Sequence, residues 1–358
     1  MNTAIISDRI SVHAAQDLYA KASLHELGAA ALSVLTKHYP NAVRTYIVDR
    51  NINYTNICTC RCKFCAFNRP SEKNGGFVLP YTEIYNKIAE LRAIGGNQIL
   101  MQGGLNPKLT LEWHCKLLSD VKRDFPGLHI HAYSPPEIIF FAGQTGKSVE
   151  YVIETLCKAG LNSIPGGGAE ILVDEVRKKV SPAKYTSQQW LDVMRTAHKM
   201  GVFSTATMMF GHIETPQQRI EHLDKLRQLQ DESLAAGKGH FTSFTAWPFQ
   251  PGASPLSKSP DLHLAGPVEY LRITAICRLF LDNIAHLQSS WVTLGHNIAQ
   301  LSMFYGCDDM GSIMMEEKVV AAAGTAYSLN EQQLRDVITS AGFTPQRRDY
   351  YYRSVLPS

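Results

Sequence analysis

Short strand-like runs alternate with segments of helical length along most of the chain, and this alternation constrains the fold more than any other feature. The runs lie at residues 51–56, 97–103, 128–134, 162–165, 202–209, 241–247, 286–292 and, weakly, 309–314. Amphipathic segments such as 186–200 and 216–236 separate them. Pro216 suits a first helical turn, and Gly201 suits a helix C-cap. Strands that are each followed by a helix predict an α/β fold, a (β/α)8 barrel of the TIM type, with a doubly wound open sheet as the alternative.

The chain divides into three predicted parts. Residues 1–42 form an N-terminal helical extension, in which Ser11 is a candidate N-cap. A stripe of apolar residues marks its second helix: Leu24, Leu27, Ala31 and Leu35. Residues 43–345 form the barrel, and residues 346–358 form a C-terminal tail. The tail alternates basic and aromatic residues, but packing and solvated charge are the expected roles of so short a segment, and not nucleic-acid binding.

The charge balance argues against a polyanionic partner. The 35 Lys and Arg residues and the 32 Asp and Glu residues leave a formal net charge of +3, which favours neither nucleic acid nor an anionic membrane surface. No apolar run approaches the roughly 18 residues of a membrane span, and the N-terminus lacks the pattern of a signal peptide. We therefore expect a cytoplasmic protein, in which clustered cysteines serve as metal ligands or catalytic groups more often than as disulfides.

Four of the 8 cysteines crowd into residues 58–65. Cys58, Cys62 and Cys65 have the spacing C-x₃-C-x₂-C, which can direct thiolates at three corners of a cubane iron–sulfur cluster and leave one iron open. Cys60 lies two residues from both Cys58 and Cys62, a poor offset for joining the same chelate, so we expect no ligand role for it. The alternative is a zinc site completed by Cys60 or a distant His, in a barrel that only binds a ligand.

Polar and glycine-rich sequences follow the strand-like runs. In an α/β barrel the carboxyl ends of the strands share one face, where active sites are built. We therefore predict a single large site whose walls are the Cys cluster, GGLNP, SPPEI, PGGGAE, FGHIET, WPFQPG and TLGHN.

The Cys motif after the first strand, with Phe64 directly before its last cysteine, resembles that of the radical S-adenosylmethionine enzymes. The resemblance implies a [4Fe-4S] cluster on the three motif cysteines, with S-adenosylmethionine held on the open iron through its amino and carboxylate groups. An electron from the reduced cluster then releases a 5′-deoxyadenosyl radical. The resemblance also implies that Phe64 contacts the adenine and that Gly103 and Gly104 line the methionine end. Leu105 replaces the acidic residue often found after those glycines.

Further sequences narrow the resemblance to the family of cyclic dehypoxanthine futalosine synthases of menaquinone biosynthesis: YIVDRNINYTNIC, QGGLNP, SPPEI, SIPGGGAEILVDEVR, TATMMFGHIET, WPFQPG, SWVTLG and AAGTAYSL. The aminofutalosine synthases and the radical enzymes that form the deazaflavin chromophore share the Cys loop and are the alternatives. The resemblance implies a small-molecule nucleoside substrate, hydrogen abstraction from C4′ of its ribose and ring closure onto its benzoate. It implies a reducing donor of the flavodoxin or ferredoxin type and neither nucleic acid nor membrane as partner. A homodimer stays an open alternative.

Within this framework, residues that follow the strands receive candidate roles. Glu170 is expected to accept hydrogen bonds from the ribose of S-adenosylmethionine, with the glycines at 166–168 allowing close approach. A solvated Glu at a helix start is the alternative. Tyr133, Ser134 and Glu137 are expected to face the cavity and bind substrate, with ordinary turn chemistry as the alternative.

His212 and Glu214 are candidates for binding the substrate or for the base that removes the ring proton, because a histidine pKa lies near working pH. A structural histidine at a strand end is the alternative. Trp247, Trp291 and the Met pair at 208–209 are candidates for an apolar wall against the arene, with plain barrel core as the alternative.

Overall fold

The structure, a computed structural model, describes residues 9–316, 318–324 and 327–355 of the 358-residue chain. Its sheet has 10 strands: β1 (Val43–Ile47), β2 (Asp49–Asn53), β3 (Gln98–Gln102), β4 (His129–Ala132), β5 (Ser163–Ile164), β6 (Phe203–Phe210), β7 (Phe241–Pro248), β8 (His286–Gln288), β9 (Asp309–Ser312) and β10 (Thr344–Arg347). The α-helices of the described residues are α1 (Val12–Lys21), α2 (Leu24–His38), α3 (Tyr81–Ala93), α4 (Leu111–Asp124), α5 (Pro135–Thr145), α6 (Val149–Ala159), α7 (Asp174–Val180), α8 (Ser187–Lys199), α9 (Pro216–Ala236), α10 (Pro267–Phe280), α11 (Trp291–Leu294), α12 (His296–Ser302), α13 (Lys318–Ala321) and α14 (Glu331–Ser340).

All strand pairs are parallel, and the sheet closes on itself. The strand order is β10-β1-β9-β8-β7-β6-β5-β4-β3-β2. β1 and β2 are the two parts of one extended segment interrupted at Val48, and β1 pairs with β9 while β2 pairs with β3. The two ends of the sheet therefore meet in residues 43–53. This confirms the predicted α/β barrel, with β10 as an added strand beside β1.

The strands from β2 to β9 each overlap a predicted run. The predicted run 286–292 is too long, because α11 begins at Trp291. β1 and β10 were not predicted as strands. β10 contains Pro345 and polar residues, and it pairs only with β1, at an outer edge where a missing N–H is tolerated.

The N-terminal helices form as predicted and pack on the outer layer of the barrel. Ser11 accepts a hydrogen bond from the Ala14 N–H at the start of α1, and Ser23 and Glu26 form a capping box at the start of α2. The predicted stripe is buried at Leu27, Ala31 and Leu35. α1 packs on α9 and α10, and α2 packs on α10, so the helical pair covers two barrel helices.

α8 ends and α9 begins at the residues that the sequence predicts. Gly201 follows α8 with a φ of 83°, a left-handed conformation that glycine adopts without strain, and Pro216 is the first residue of α9. Among the described residues, no helix has both the length and the apolar character needed to cross a membrane.

The C-terminal segment is part of the barrel. β10 already spans the predicted start of the tail at residue 346. Beyond β10 the chain passes under the barrel, where Tyr350 stacks on His129 and Tyr352 stacks on His286. Both histidines lie at the amino ends of their strands. The segment therefore closes the lower end of the barrel, opposite the cysteine loop.

Candidate active site

A cavity of about 470 Å³ runs inside the barrel from the cysteine loop to the C-terminal segment. Many of the strand residues that line it are polar, whereas parallel strands buried on both faces usually carry apolar residues on both. Alternate positions of β2 and β3 supply much of this polar wall: Asp49, Asn51, Asn53, Gln98 and Gln102. These residues were not among those predicted to form the site, although a polar side chain at every second position of a strand is a visible signal.

Cys58, Cys62 and Cys65 line the upper end of the cavity on one loop. Backbone hydrogen bonds hold this loop: the Cys58 N–H donates to the Arg69 carbonyl at 3.0 Å, and the Cys65 N–H donates to the Cys62 carbonyl at 3.1 Å. All of the cysteines are free thiols. The structure thus brings together the three thiols that the spacing selects.

Cys60 is buried on the same loop. A hydrogen bond from its thiol lowers the pKa of Cys58 to about 6, and its contact with Cys62 lowers the pKa of Cys62 as well. Burial raises the pKa of Cys65. Because the thiolate is the form that binds metal, the contacts of Cys60 favour the metal-binding form of Cys58 and Cys62. In the part of the chain that the structure describes, no three His, Cys, Asp or Glu side chains are arranged to hold a single metal ion.

Gly103 and Gly104 bring the end of β3 against the cysteine loop. A Cβ atom at Gly104 would lie 2.2 Å from the Ile57 carbonyl oxygen and 2.9 Å from Cys58 Cβ, and a Cβ at Gly103 would lie 2.5 Å from the Tyr54 ring. A side chain at either position would therefore overlap Tyr54 or the cysteine loop, and only glycine allows this close packing. The loop presents four thiols to the cavity, and the three with the C-x₃-C-x₂-C spacing fit a [4Fe-4S] cluster, which takes Cys thiolates as ligands.

We expect Gly104→Ala to displace the cysteine loop, because the new methyl group would overlap the Ile57 carbonyl. The free energy of unfolding should fall by about 1–3 kcal/mol, and reconstituted protein should hold less iron. Urea denaturation and iron analysis measure the two effects. Gly143→Ala in α5 is the matched control, since its added Cβ meets no atom within 4 Å, and it should change stability by less than about 1 kcal/mol. Normal iron content in Gly104→Ala would show that the position of the cysteine loop does not depend on glycine at residue 104.

Lys184, in the loop before α8, is a site residue that our sequence analysis missed. Its Nζ donates to Glu170 Oε1 at 2.8 Å and lies 5.4 Å from the centroid of the Phe64 ring. Burial lowers the pKa of Lys184, but Glu170 and Cys62 outweigh this and leave the pKa above its ordinary value. Glu170 Oε2 is buried without a hydrogen-bond partner. The pair therefore places a fixed cation and a free acceptor beside the cysteine loop.

Ser134 and Glu137 line the cavity, but the hydrogen bonds of Glu137 go to other groups of the protein. Glu137 Oε1 accepts from the Tyr54 hydroxyl at 2.7 Å and from the Gly103 N–H at 3.0 Å. Glu137 Oε2 accepts from the N–H of Ser134 at 2.8 Å and from its hydroxyl at 2.6 Å. This capping box at the start of α5 favours the turn-chemistry alternative, with Glu137 holding Gly103 in place.

Four predicted site residues do not line the cavity. Glu170 is one of them and is linked to the cavity wall through Lys184; the positions of the other three argue against their predicted roles. Tyr133 has a left-handed φ of 59°, and its hydroxyl hydrogen-bonds to His114 Nδ1 on α4 at 3.2 Å, away from the cavity. His212 and Glu214 are buried after β6, where Glu214 accepts from Arg219 Nε at 2.7 Å. Burial raises the pKa of Glu214, but His212 and Arg219 outweigh it and bring the pKa to about 2. These two residues therefore form a structural ion-pair network, which argues against either as the base.

Trp247 and Trp291 line the cavity, as the predicted aromatic wall requires. The Trp291 Nε1–H donates to the Ser312 carbonyl at 3.0 Å, which fixes the orientation of its ring. Met208 and Met209 instead belong to the hydrophobic core, so the barrel-core alternative holds for the Met pair.

Comparisons with known proteins place this site in a family. The model of the radical SAM superfamily matches residues 52–226, and that of the CofH/MqnC C-terminal region matches residues 237–357. A cyclic dehypoxanthine futalosine synthase of Halalkalibacterium halodurans is 42% identical over 99% of this chain and 94% of its own. One from Streptomyces coelicolor is 40% identical over 99% of this chain and 88% of its own. A 5-amino-6-(D-ribitylamino)uracil–L-tyrosine 4-hydroxyphenyl transferase of Synechocystis is 41% identical over 87% of this chain and 82% of its own.

Among solved structures, methylornithine synthase covers 96% of this chain and 96% of its own, with a TM-score of 0.71 and 19% sequence identity. At this identity the similarity supports the barrel fold alone. The family establishes an enzyme whose cofactors are a [4Fe-4S] cluster and S-adenosylmethionine, so the zinc alternative is wrong. It acts on small molecules and takes electrons from an external donor. The chain therefore belongs to the radical S-adenosylmethionine enzymes, in the branch that carries the CofH/MqnC C-terminal region and includes the cyclic dehypoxanthine futalosine synthases.

Proposed function

We propose that this chain converts dehypoxanthine futalosine to cyclic dehypoxanthine futalosine in menaquinone biosynthesis. The observation that carries the proposal is its identity of 42% and 40% to two synthases of this name, each over 99% of the chain. In the proposed reaction C4′ of the ribose loses a hydrogen atom and bonds to the substrate's own benzoate ring. The hydrogen atom ends on 5′-deoxyadenosine. The ring then loses one proton, and one electron that offsets the electron spent in cleaving S-adenosylmethionine, and becomes aromatic again.

Cys58, Cys62 and Cys65 are the residues that would hold the cluster. S-adenosylmethionine would lie beside them, with its adenine at Phe64 and its methionine end at Gly103. Bound there and reduced, the cofactors supply the radical that removes the C4′ hydrogen. The closed lower end of the barrel supports this assignment, because it keeps bulk water from a reactive carbon on that side.

Lys184 and Glu170 have complementary tasks in this proposal. The Lys184 ammonium is buried beside the cysteine loop and suits the carboxylate of S-adenosylmethionine, since a charge-assisted hydrogen bond is strong in a dry site. The unpartnered Glu170 Oε2 suits a ribose hydroxyl of the same cofactor. Their own ion pair holds both side chains in position before the cofactor binds.

The cavity walls have the task of holding the substrate in a folded conformation. Trp247 and Trp291 offer aromatic faces to the benzoate ring. Glu137 acts through the backbone of Gly103, and so positions the wall next to the cofactor. When C4′ and the arene are held in contact, most of the entropy cost of bringing them together is met on binding, so ring closure needs little further ordering of the substrate.

The test is an anaerobic assay of the reconstituted, reduced enzyme with S-adenosylmethionine and dehypoxanthine futalosine, analysed by mass spectrometry. We expect substrate-dependent 5′-deoxyadenosine and a product lighter than the substrate by two hydrogens. A parallel reaction with 5-amino-6-(D-ribitylamino)uracil and L-tyrosine tests the activity named for the transferase relatives. Turnover of that pair, without the cyclised product from dehypoxanthine futalosine, would overturn the proposal in favour of the transferase.

A further inference from the structure

The deep half of the cavity contains an acidic residue to which no role has yet been given. Asp49, the first residue of β2, lines the cavity with only 5% of its surface exposed. The Ser312 hydroxyl donates to its Oδ1, and the Gln98 side-chain amide donates to its Oδ2 at 3.0 Å. Among the described residues, no Lys, Arg or His forms a salt bridge with it. Burial raises the pKa of Asp49 to about 6.

The neighbouring amide group leaves a second acceptor unused. Gln98 is 5% exposed, and its Oε1 is buried without a hydrogen-bond partner, although the residue lines the cavity. A buried acceptor left unpaired costs free energy comparable to a lost hydrogen bond. The Gln98 amide is already oriented by Asp49, so its free oxygen faces a fixed direction. The pair therefore requires a partner that donates hydrogen bonds.

The charges at this depth disfavour an anionic partner. The Arg348 guanidinium, which lies on the floor of the cavity, donates to both carboxylate oxygens of Asp309 and to the Asp349 carbonyl at 3.0 Å. Asp309 is therefore its direct partner. The Arg348 charge also acts on Asp49, but Asp49 itself forms no salt bridge among the described residues. A ligand carboxylate placed here would face Asp49 at low dielectric, which costs free energy.

We infer that the deep half of the cavity is a polyol site, in which Asp49 and Gln98 accept hydrogen bonds from sugar hydroxyls of the substrate. The inference deepens the proposed function and rests on it for the identity of the ligand. It orients dehypoxanthine futalosine with its ribose hydroxyls towards the floor and its benzoate carboxylate towards the opposite end, near the cysteine loop. The residues act in binding and orientation and take no part in breaking bonds.

Binding can be measured without turnover, in reconstituted enzyme that holds S-adenosylmethionine but receives no reductant. The two variants are Asp49→Asn and Gln98→Leu, which remove the carboxylate and the free acceptor without a large change in volume. We expect each to weaken dehypoxanthine futalosine binding about ten-fold or more, as for loss of a hydrogen bond to a buried acceptor or charged group. Calorimetry gives the dissociation constants, and the melting temperature shows that each variant is folded.

A ligand without the sugar supplies the matched control. 3-Propanoylbenzoate carries the aryl arm alone, and neither substitution should change its affinity by more than about two-fold. Tighter binding of this arm to Asp49→Asn would place the carboxylate at the floor and overturn the inference. Unchanged affinity of both variants for dehypoxanthine futalosine would overturn it too. If the wild-type enzyme neither binds nor cyclises dehypoxanthine futalosine, the proposed function itself fails. If the wild type cyclises it and both variants bind it with unchanged affinity, only the polyol site is refuted.

Discussion

Replacing Cys58, Cys62 or Cys65 with serine is expected to abolish both iron binding and the formation of 5′-deoxyadenosine. These three thiols line the upper end of the cavity, and their spacing supplies the ligands that an iron–sulfur cluster takes from a short loop. Serine keeps the size of the side chain but is a poor ligand for a soft iron–sulfur site. Iron and sulfide analysis, the visible absorption of the cluster, and mass spectrometry of the nucleoside products measure the effect.

Cys60→Ala is the control from the same loop. It removes a buried thiol that contacts Cys58 and Cys62, but it leaves the three proposed ligands in place. We expect the cluster and the activity to be kept. Stoichiometric loss of iron in Cys60→Ala would show that Cys60 is a ligand, and iron retained by the Cys62→Ser variant would refute the assigned set of three.

The barrel was predictable because local sequence patterns mark each strand and each helix in turn. The helix ends at Gly201 and Pro216 follow from backbone geometry that those residues carry with them. The closure of the sheet was harder to predict from sequence. It depends on residues 43–53, whose first part pairs with β9 and whose second part pairs with β3. β10 was missed because its Pro345 and polar neighbours lack the usual strand composition, and only tertiary pairing with β1 makes them a strand.

The site was predictable where the chemistry and the spacing lie in one short segment, as in the cysteine loop. His212 shows the opposite case, since a suitable residue type after a strand says nothing about whether its side chain reaches the cavity. Tyr133 fails for a backbone reason, because a positive φ reverses the direction that strand alternation would give its side chain. Lys184 could not be selected from sequence, since it reaches Glu170 and Phe64 only through the path of the loop before α8.

Arg348→Met is expected to destabilise the whole barrel, although it lies in a short tail for which the sequence predicts only packing and solvated charge. The Arg348 side chain is 4% exposed and that of its partner Asp309 is 0% exposed, so the substitution would leave a carboxylate buried without its counter-ion. Breaking a buried pair in this way costs about 3–5 kcal/mol of unfolding free energy. Urea denaturation measures the loss. Arg353→Met is the control from the same segment: its side chain is 73% exposed and pairs with Asp349 at 2.7 Å, and its loss should cost less than about 1 kcal/mol.

A double variant separates the loss of the pair from the loss of packing. Asp309→Asn combined with Arg348→Met removes both charges of the pair, and it should be more stable than Arg348→Met alone, because an unpaired buried charge costs more than the pair contributes. Equal loss in the single and double variants would mean that the arginine matters through its packing beneath the barrel. A loss in Arg348→Met no larger than in Arg353→Met would show that the C-terminal segment does not hold the floor of the cavity.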